Sequence, residues 1–336
     1  MELKDFNYDL PQELIAQKPL HCRDNARLMI IDRKTGDIRH DIFRNLDKYL
    51  PDNSCLVFNE SKVIPARLLG KREQSGGNVE IFLLKELEDG YTFKVLMRPL
   101  KRLKLGEKVY FDNGRIVVEI IDKEEPKVRF NKKNVLRYLE KIGHIPLPPY
   151  IKRDSTVEDR KYYQTVYAKN LGSVASPTAG LHFTNRLLNK ISNKGHKIEK
   201  VTLHVNYGTF KPVEEKNVVD HKMHSEDYFI DRKTDASIKN AKREGSSIVS
   251  VGTTSTRVLE TVANTKKLAG DTDIFIYPGY DFKMIDCLIT NFHLPYSTLL
   301  MLVYAFGGSE LMKRAYSLAI REKYRFYSYG DGMIII

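Results

Sequence analysis

The sequence predicts an α/β protein carrying a small β-rich module, a barrel or a sandwich, inserted near its N-terminus. Three observations carry this. From Lys62 to Phe130 the pattern is strands only: VIPARLLG, NVEIFLL, YTFKVLM, KVYF, RIVVEII and KVRF are short, rich in β-branched residues and separated by turns. Beyond a Pro-rich linker, HIPLPPYIKR (His144–Arg153), helical and strand patterns alternate, which is α/β grammar. Before the module, RLMIID and SCLVFNE read as strands flanking a short helix around Phe43–Leu50, so the N-terminal strands are expected to join the C-terminal sheet. The domains expected are therefore residues 1–60 with 151–336, and residues 61–150.

Each element has a local signal. Asp112-Asn113-Gly114 is a hairpin turn between KVYF and RIVVEII. NVLRYLEKIG is a helix with Gly143 at the cap position. The linker prolines restrict φ and their predecessors, so this stretch is extended. Thr184 caps a helix ending before Gly195, and KVTLHV follows as a strand. Lys233–Glu244 reads as a helix stopped by Gly245, then SIVSVGT as a strand and Arg257–Asn264 as a helix. DIFIYP and DCLIT are strand patterns, and Ser297–Phe306 and Glu310–Glu322 are helices.

The chain of 336 residues has 42% hydrophobic and 29% charged residues, the profile of a folded protein of roughly two domains. No apolar run reaches the roughly 20 residues needed to cross a bilayer. MELKDFNYDLPQELIAQ has no basic n-region or apolar h-region, so no export signal is expected. Cys22, Cys55 and Cys287 are far apart, which argues against a disulfide scaffold, a zinc knuckle or an iron–sulfur cluster and suits a reducing cytoplasm. The formal charge of +12 fits either a nucleic-acid partner or a lysine-rich surface. RPLKRLK (Arg98–Lys104) and IKR (Ile151–Arg153) are the basic clusters, so Arg98, Lys101, Arg102, Lys104, Lys152 and Arg153 are candidate phosphate contacts or simply solvated loop faces.

Five motifs sit where chemistry is placed in α/β proteins. SVASPTAGLHF (Ser173–Phe183) combines small residues that let a backbone approach a ligand, Gly180 with access to positive φ, and His182 as a proton carrier. The same stretch also suits a tight turn with one satisfied histidine. TLHVNYGTF (Thr202–Phe210) ends a strand at His204, facing the usual ligand crevice, with Gly208 and Thr209 in the turn. DHKMHSEDY (Asp220–Tyr228) offers His221, His224 and Glu226, better suited to acid–base work than to a metal, since no third ligand group has the required spacing. VGTTSTRVLE runs a strand into Gly252, Thr253, Thr254 and Ser255 at a helix start, an anion site or a plain N-cap. It is neither GxxxxGK[ST] nor GxGxxG, which argues against nucleoside-triphosphate and dinucleotide cradles. LITNFHLPYSTLLMLVYAF places Asn291, Phe292 and His293 at a strand end before an apolar helix, a place for a planar heterocycle. The tail RFYSYGDGM is a base-stacking surface or an edge cover.

Together, DFNYDLPQELIAQKPL, RLMIIDRKTG, VIPARLLG, GGNVEIFLL, HIPLPPYI, YQTVYA, VASPTAGLHF, HVNYGTFKPV, HKMHSE, VGTTSTRVLE, YPGYDF, LITNFHLPYSTLLMLV and YRFYSYGDGM resemble, in order over nearly the whole chain, the S-adenosylmethionine:tRNA ribosyltransferase-isomerase family of queuosine biosynthesis. The chain departs at Asn206, where that family has Gly, and at Glu60-Ser61-Lys62, where it has Asp-Thr-Arg. The resemblance implies an α/β domain with a small antiparallel β-barrel domain inserted near the N-terminus. It also implies transfer and isomerisation of the ribosyl moiety of S-adenosylmethionine onto 7-aminomethyl-7-deazaguanine at the tRNA wobble position, giving epoxyqueuosine, adenine and methionine. A non-catalytic RNA-binding protein and another nucleoside transferase or glycosidase are the alternatives.

That reaction needs a base for the C5′ proton beside the sulfonium, an acid for departing adenine, and a neutral amine. His182, His204, His221, His224, Glu226 and His293 are the candidates for proton transfer. Thr178, Ala179, Gly180, Gly208, Thr209 and Asn291 are expected around the substrate, the methionine carboxylate at Gly252–Ser255, and adenine on Phe183 or Phe292. A carboxylate or aromatic face is expected near the sulfonium. No metal or redox cofactor is expected, S-adenosylmethionine being a co-substrate, and the protein is expected to be a cytoplasmic monomer.

Overall fold

The computed structural model describes residues 1–206, 213 and 215–336. Its centre is a mixed nine-stranded sheet. Four parallel strands form its middle: β13 (Lys197–Leu203), β3 (Cys55–Asn59), β15 (Ile248–Val251) and β17 (Cys287–Asn291). On one side β14 (Glu226–Phe229) and β16 (Ala269–Thr272) add antiparallel. On the other lie β18 (Gly332–Ile335), antiparallel to β17, then β1 (Arg27–Ile31), parallel to β18, and β2 (Ile38–Ile42). The N-terminal strands and the final strand thus share one sheet.

Alternation along the strands divides the sheet into two buried faces. Met29, Ile31, Cys55, Val57 and Leu288 point to the face covered by α4 (Arg232–Arg243), α5 (Thr253–Thr265), α6 (Thr298–Gly307) and α7 (Ser309–Arg321). Leu28, Ile30, Leu56, Phe58 and Ile289 point to the other, covered by α3 (Asn185–Asn193) and a 3₁₀ turn at Phe43–Lys48. Side chains of period two on a sheet with both faces covered give runs apolar at every position, as in CLVFN.

The strands-only region closes into a six-stranded antiparallel barrel: β5 (Arg67–Arg72), β6 (Asn78–Glu86), β7 (Thr92–Arg98), β10 (Lys127–Phe130), β9 (Ile116–Asp122) and β8 (Lys108–Phe111), with β8 pairing back to β5. Closure removes the exposed edges that a six-stranded sandwich would leave. Asn113 adopts φ 53 in the Asp112–Gly114 turn, the left-handed geometry that a short hairpin turn demands.

Several local expectations are corrected. Gly143 does follow α1 (Leu136–Ile142), but in an extended conformation; it is glycine because a Cβ would lie 2.0 Å from the Pro65 carbonyl oxygen. Helix α5 starts four residues before Arg257, so Thr253–Thr256 form its first turn. DIFIYP (Asp273–Pro278) is not a strand; the Ile274 carbonyl accepts from the Arg257 guanidinium at 3.3 Å. The tail RFYSYGDGM does not cover a sheet edge. Tyr324 and Phe326 are fully buried and the chain continues as β18 inside the sheet.

Candidate active site

The carboxyl ends of β15 and β17 open on one pocket, where an α/β sheet usually takes its ligand. Strand β15 ends at Gly252, whose φ of 89° turns the chain into α5. The first amides of α5 have no intrahelical acceptor, so a partial positive charge faces the pocket from Thr253 and Thr254. Strand β17 delivers Asn291 and His293, and the SPTA loop delivers Thr178 and Ala179. Of the residues expected near substrate, the fold therefore gathers Thr178, Ala179, Gly252, Thr253, Thr254, Asn291 and His293.

Others go elsewhere. Ser255 turns inward, its hydroxyl bonded to the Val251 carbonyl at 2.9 Å. Gly180 does not use positive φ; a Cβ there would meet the Tyr167 hydroxyl at 2.0 Å, so the glycine serves packing. Phe183 and Phe292 are fully buried among other aromatics: Phe183 lies edge-on to Phe43 and Phe58, and Phe292 packs on Tyr316, Tyr324 and Phe326. Neither lines the pocket, so neither is placed to stack adenine. Gly208 and Thr209 lie outside the described residues.

The six candidates for proton transfer do not converge. His293 lines the pocket; its Nε2 lies 2.8 Å from the Thr290 hydroxyl, and burial lowers its pKa to about 3, so it is neutral. His182 is buried behind the pocket wall, stacked 4.7 Å from Phe43, with its pKa lowered to about 3 by burial and by Arg325 and Arg23. His204 lies outside the pocket, packed against Gly172, where a Cβ would come within 2.9 Å of its ring; burial lowers its pKa, against the pull of Asp227. Glu226 is buried in an ion pair with Arg257, and its other oxygen accepts the Asn206 amide at 2.8 Å, so it is not a free base. His221 bonds Glu215 at 2.9 Å, and His224 is exposed. Their short sequence spacing misled because β14 and the turn before it send the side chains in different directions.

Three pocket hydroxyls are orphaned. Ser176 Oγ, Thr254 Oγ1 and Tyr327 Oη are buried with no hydrogen-bond partner among the described residues. Buried polar atoms normally find partners, so these mark where a ligand's polar edge belongs. Tyr327, at φ 70° in a strained conformation, stacks on Tyr150 with ring centroids 4.5 Å apart. No Asp, Glu, Lys or Arg lines the pocket among the described residues, so of the carboxylate or aromatic face expected beside a sulfonium it offers the aromatic rings of Tyr150 and Tyr327. Sequence reading missed Tyr150, Ser176, Tyr327 and Ser328. The aromatic tail motif held the only signal for Tyr327, and nothing local shows that the linker and the tail meet.

The basic candidates also divide. Arg98, Lys101, Arg102 and Lys104 are exposed at the end of β7 and the turn after it. Lys152 is exposed, with Nζ 3.2 Å from Gln12 Oε1. Arg153 is not available to a phosphate: it holds buried Asp159 bidentately at 2.7 and 2.8 Å, keeping that carboxyl at about 2 against the upward push of burial.

A parallel-centred sheet opening a pocket without charged lining residues at its strand ends, with a small barrel inserted beside it, defines an α/β protein of the kind that takes its ligand at the strand carboxyl ends. The chain belongs to the "Queuosine biosynthesis protein" family, whose model matches residues 3–335. It is 53% identical over its full length to the full-length S-adenosylmethionine:tRNA ribosyltransferase-isomerase of Caldanaerobacter subterraneus subsp. tengcongensis. It is 51% identical, again over both full chains, to the protein of that name from Sulfurihydrogenibium sp.. The crystal structure of S-adenosylmethionine tRNA ribosyltransferase from Thermotoga maritima is similar with a TM-score of 0.57 and 36% identity, over 99% of this chain and 100% of that one.

Proposed function

We infer that this protein is a tRNA-modifying enzyme that transfers and isomerises the ribosyl moiety of S-adenosylmethionine onto 7-aminomethyl-7-deazaguanine at the wobble position, yielding epoxyqueuosine with release of adenine and methionine. The observation that carries this reading at the level of the site is the pocket itself: apolar walls, three orphaned hydroxyls and the α5 N-terminus, on a chain of this family. In this assignment the first amides of α5 hold the methionine carboxylate. The Tyr150 and Tyr327 rings lie beside the sulfonium, and the orphaned hydroxyls bond the nucleoside edge.

His293 is assigned to proton transfer because it is the candidate imidazole that lines the pocket. The chemistry requires no metal or redox group. The exposed cations from Arg98 to Lys104 face the RNA, and the two-part division at residues 60/61 and 150/151 is supported by a barrel closed from residues 67–130 alone. Among the described residues no helix is long and apolar enough to cross a membrane. A cytoplasmic setting is proposed, supported by three free cysteines, and the protein is proposed to act as a monomer.

The test is incubation with S-adenosylmethionine and an anticodon stem-loop carrying the aminomethyl base. Adenine release that requires this RNA supports the reading. Release without RNA indicates a glycosidase, and RNA binding with no release indicates a non-catalytic binder.

A further inference from the structure

His293 is held from three directions. Its backbone N–H donates to the Tyr316 hydroxyl at 3.1 Å, its carbonyl accepts from the Tyr8 hydroxyl, and its ring Nε2 lies 2.8 Å from the Thr290 hydroxyl. Tyr8 comes from the N-terminal segment and Tyr316 from α7, so two remote parts of the chain clamp this backbone. Thr290 is fixed in turn: it is 1% exposed and sits opposite Met333 where β17 pairs with β18. A ring on a clamped backbone, tied at Nε2, has little freedom to turn.

The Thr290 hydroxyl decides where the ring proton sits. A neutral imidazole carries one N–H and one bare nitrogen. If Nε2–H donated to Thr290, the threonine proton would have no acceptor among the described residues, and bare Nδ1 would have no donor. If Thr290 donates to Nε2, only the Nδ1–H is left over. The second arrangement leaves fewer buried polar groups unpaired, which is the rule in folded proteins. Unlike the Ser176, Thr254 and Tyr327 hydroxyls, Nδ1 is not sealed from solvent, so its N–H is open to the pocket that the ring lines.

The surroundings oppose a charged ring. The starts of two helices border the same pocket, α5 at Thr253 and Thr254 and α6 at its cap Ser297, and positive helix ends disfavour an imidazolium. No carboxylate lines the pocket among the described residues to offset them, and a sulfonium ligand adds to the same charge. A neutral imidazole N–H in such a place acts as an electrophile toward an atom that is gaining electrons.

We propose that Thr290 is a positioning residue for the reaction: its hydroxyl donates to His293 Nε2 and keeps the ring proton on Nδ1, so that His293 meets the departing adenine as a hydrogen donor and does not serve as the base for the C5′ proton. This rests on the function proposed above and sets the direction of the transfer assigned to His293. The glycosidic C–N bond breaks, its electron pair goes to adenine, the Nδ1 proton follows it, and the ring regains a proton from solvent. The Thr290 hydrogen bond stabilises the ring while that proton is away.

The first test is the ring itself. Nitrogen–proton correlation spectra of the histidine rings in the free wild-type protein, assigned with His293→Gln, are expected to show the His293 proton on Nδ1. A proton on Nε2 overturns the proposal and leaves the function intact. The second test is turnover with S-adenosylmethionine and the modified stem-loop. Thr290→Val keeps the shape and loses the donor, and is expected to lower kcat about 10²-fold with Kd for S-adenosylmethionine unchanged. Thr290→Ser restores the hydroxyl and is expected to recover most of the loss. Wild-type kcat in Thr290→Val, or an equal loss in Thr290→Ser, overturns the proposal. If Thr290→Val does not fold, the ring spectrum and Thr290→Ser decide. Wild type that releases no adenine with this RNA overturns the function, and the role of Thr290 with it.

Discussion

The side-chain amide of Asn291 donates to His182 Nε2 at 3.1 Å while its oxygen accepts the Thr178 hydroxyl, and this single contact decides which tautomer of a buried histidine the protein carries. Replacing the donor by an acceptor should reverse the choice. In Asn291→Asp the carboxylate draws a proton to Nε2 and raises the His182 pKa from about 3 toward and above its ordinary 6.5. The expected result is a loss of roughly 10²-fold in kcat at neutral pH and a new ionisation in the pH–rate profile. A profile identical to wild type would show that the tautomer is irrelevant.

Acid stability should report the two buried imidazoles. His182 and His293 are held near 3, below the ordinary 6.5, so the unfolded chain binds more protons than the folded one between these values. Stability is then full above about pH 6.5 and falls as pH drops toward 3, by an amount on the order of 4 kcal/mol per histidine when complete. Urea titrations from pH 7 to 4 measure the slope, and His293→Gln should flatten it. The same variant should keep S-adenosylmethionine binding and lose about 10²–10⁴ in turnover.

Removing an orphaned hydroxyl should separate binding from stability. Tyr327→Phe and Thr254→Val each delete a buried group that has no partner in the free protein. Melting temperature is expected to stay level or rise, because an unsatisfied polar atom is lost. Affinity for S-adenosylmethionine is expected to fall by about tenfold, at roughly 1 kcal/mol or more per hydrogen bond. Calorimetry of ligand binding beside thermal melts reads both, and unchanged affinity would place the ligand away from these groups.

Glu226→Gln tests whether that residue is structural. It leaves Arg257 buried beside an uncharged amide, and about 3–5 kcal/mol of stability should be lost. Full stability with abolished turnover would instead return Glu226 to the list of catalytic acids.

Charge reversal at Arg98, Lys101, Arg102 and Lys104 should weaken tRNA binding and reduce the slope of log K against log salt, since each phosphate contact releases counterions. Reversal at Arg153 should lower the melting temperature, because buried Asp159 loses its bidentate partner. Binding that is equal across salt in the first variant would locate the RNA on another face.

Much of the fold was legible because its signals are local. Turn residues, period-two alternation and the cap at Thr184 depend on neighbours in sequence; Thr184 Oγ1 accepts the Leu187 amide at 3.2 Å. The apolar runs of β3, β15 and β17 announced strands, and the structure buries them on both faces. What failed was what depends on partners far along the chain. DIFIYP has the composition of a strand, but its Ile274 carbonyl is taken by Arg257, and no local pattern contains that fact.

The site divided in the same way. Which segments end strands was readable, and Gly252, Thr253, Thr254, Asn291 and His293 do border the crevice at those strand ends. Which side chains face it was not. Glu226 and His204 carry the right chemistry, but an ion pair and a packed glycine hold them elsewhere. By itself the sequence determined element order, the inserted strand region and the family, since each is written in contiguous residues. Only the tertiary structure decided that Tyr150 from the linker meets Tyr327 from the tail, that His182 is neutral and occupied, and that Arg153 is closed to RNA. Those outcomes arise from burial and from hydrogen bonds between residues more than a hundred positions apart, or from a carboxylate taken into the core.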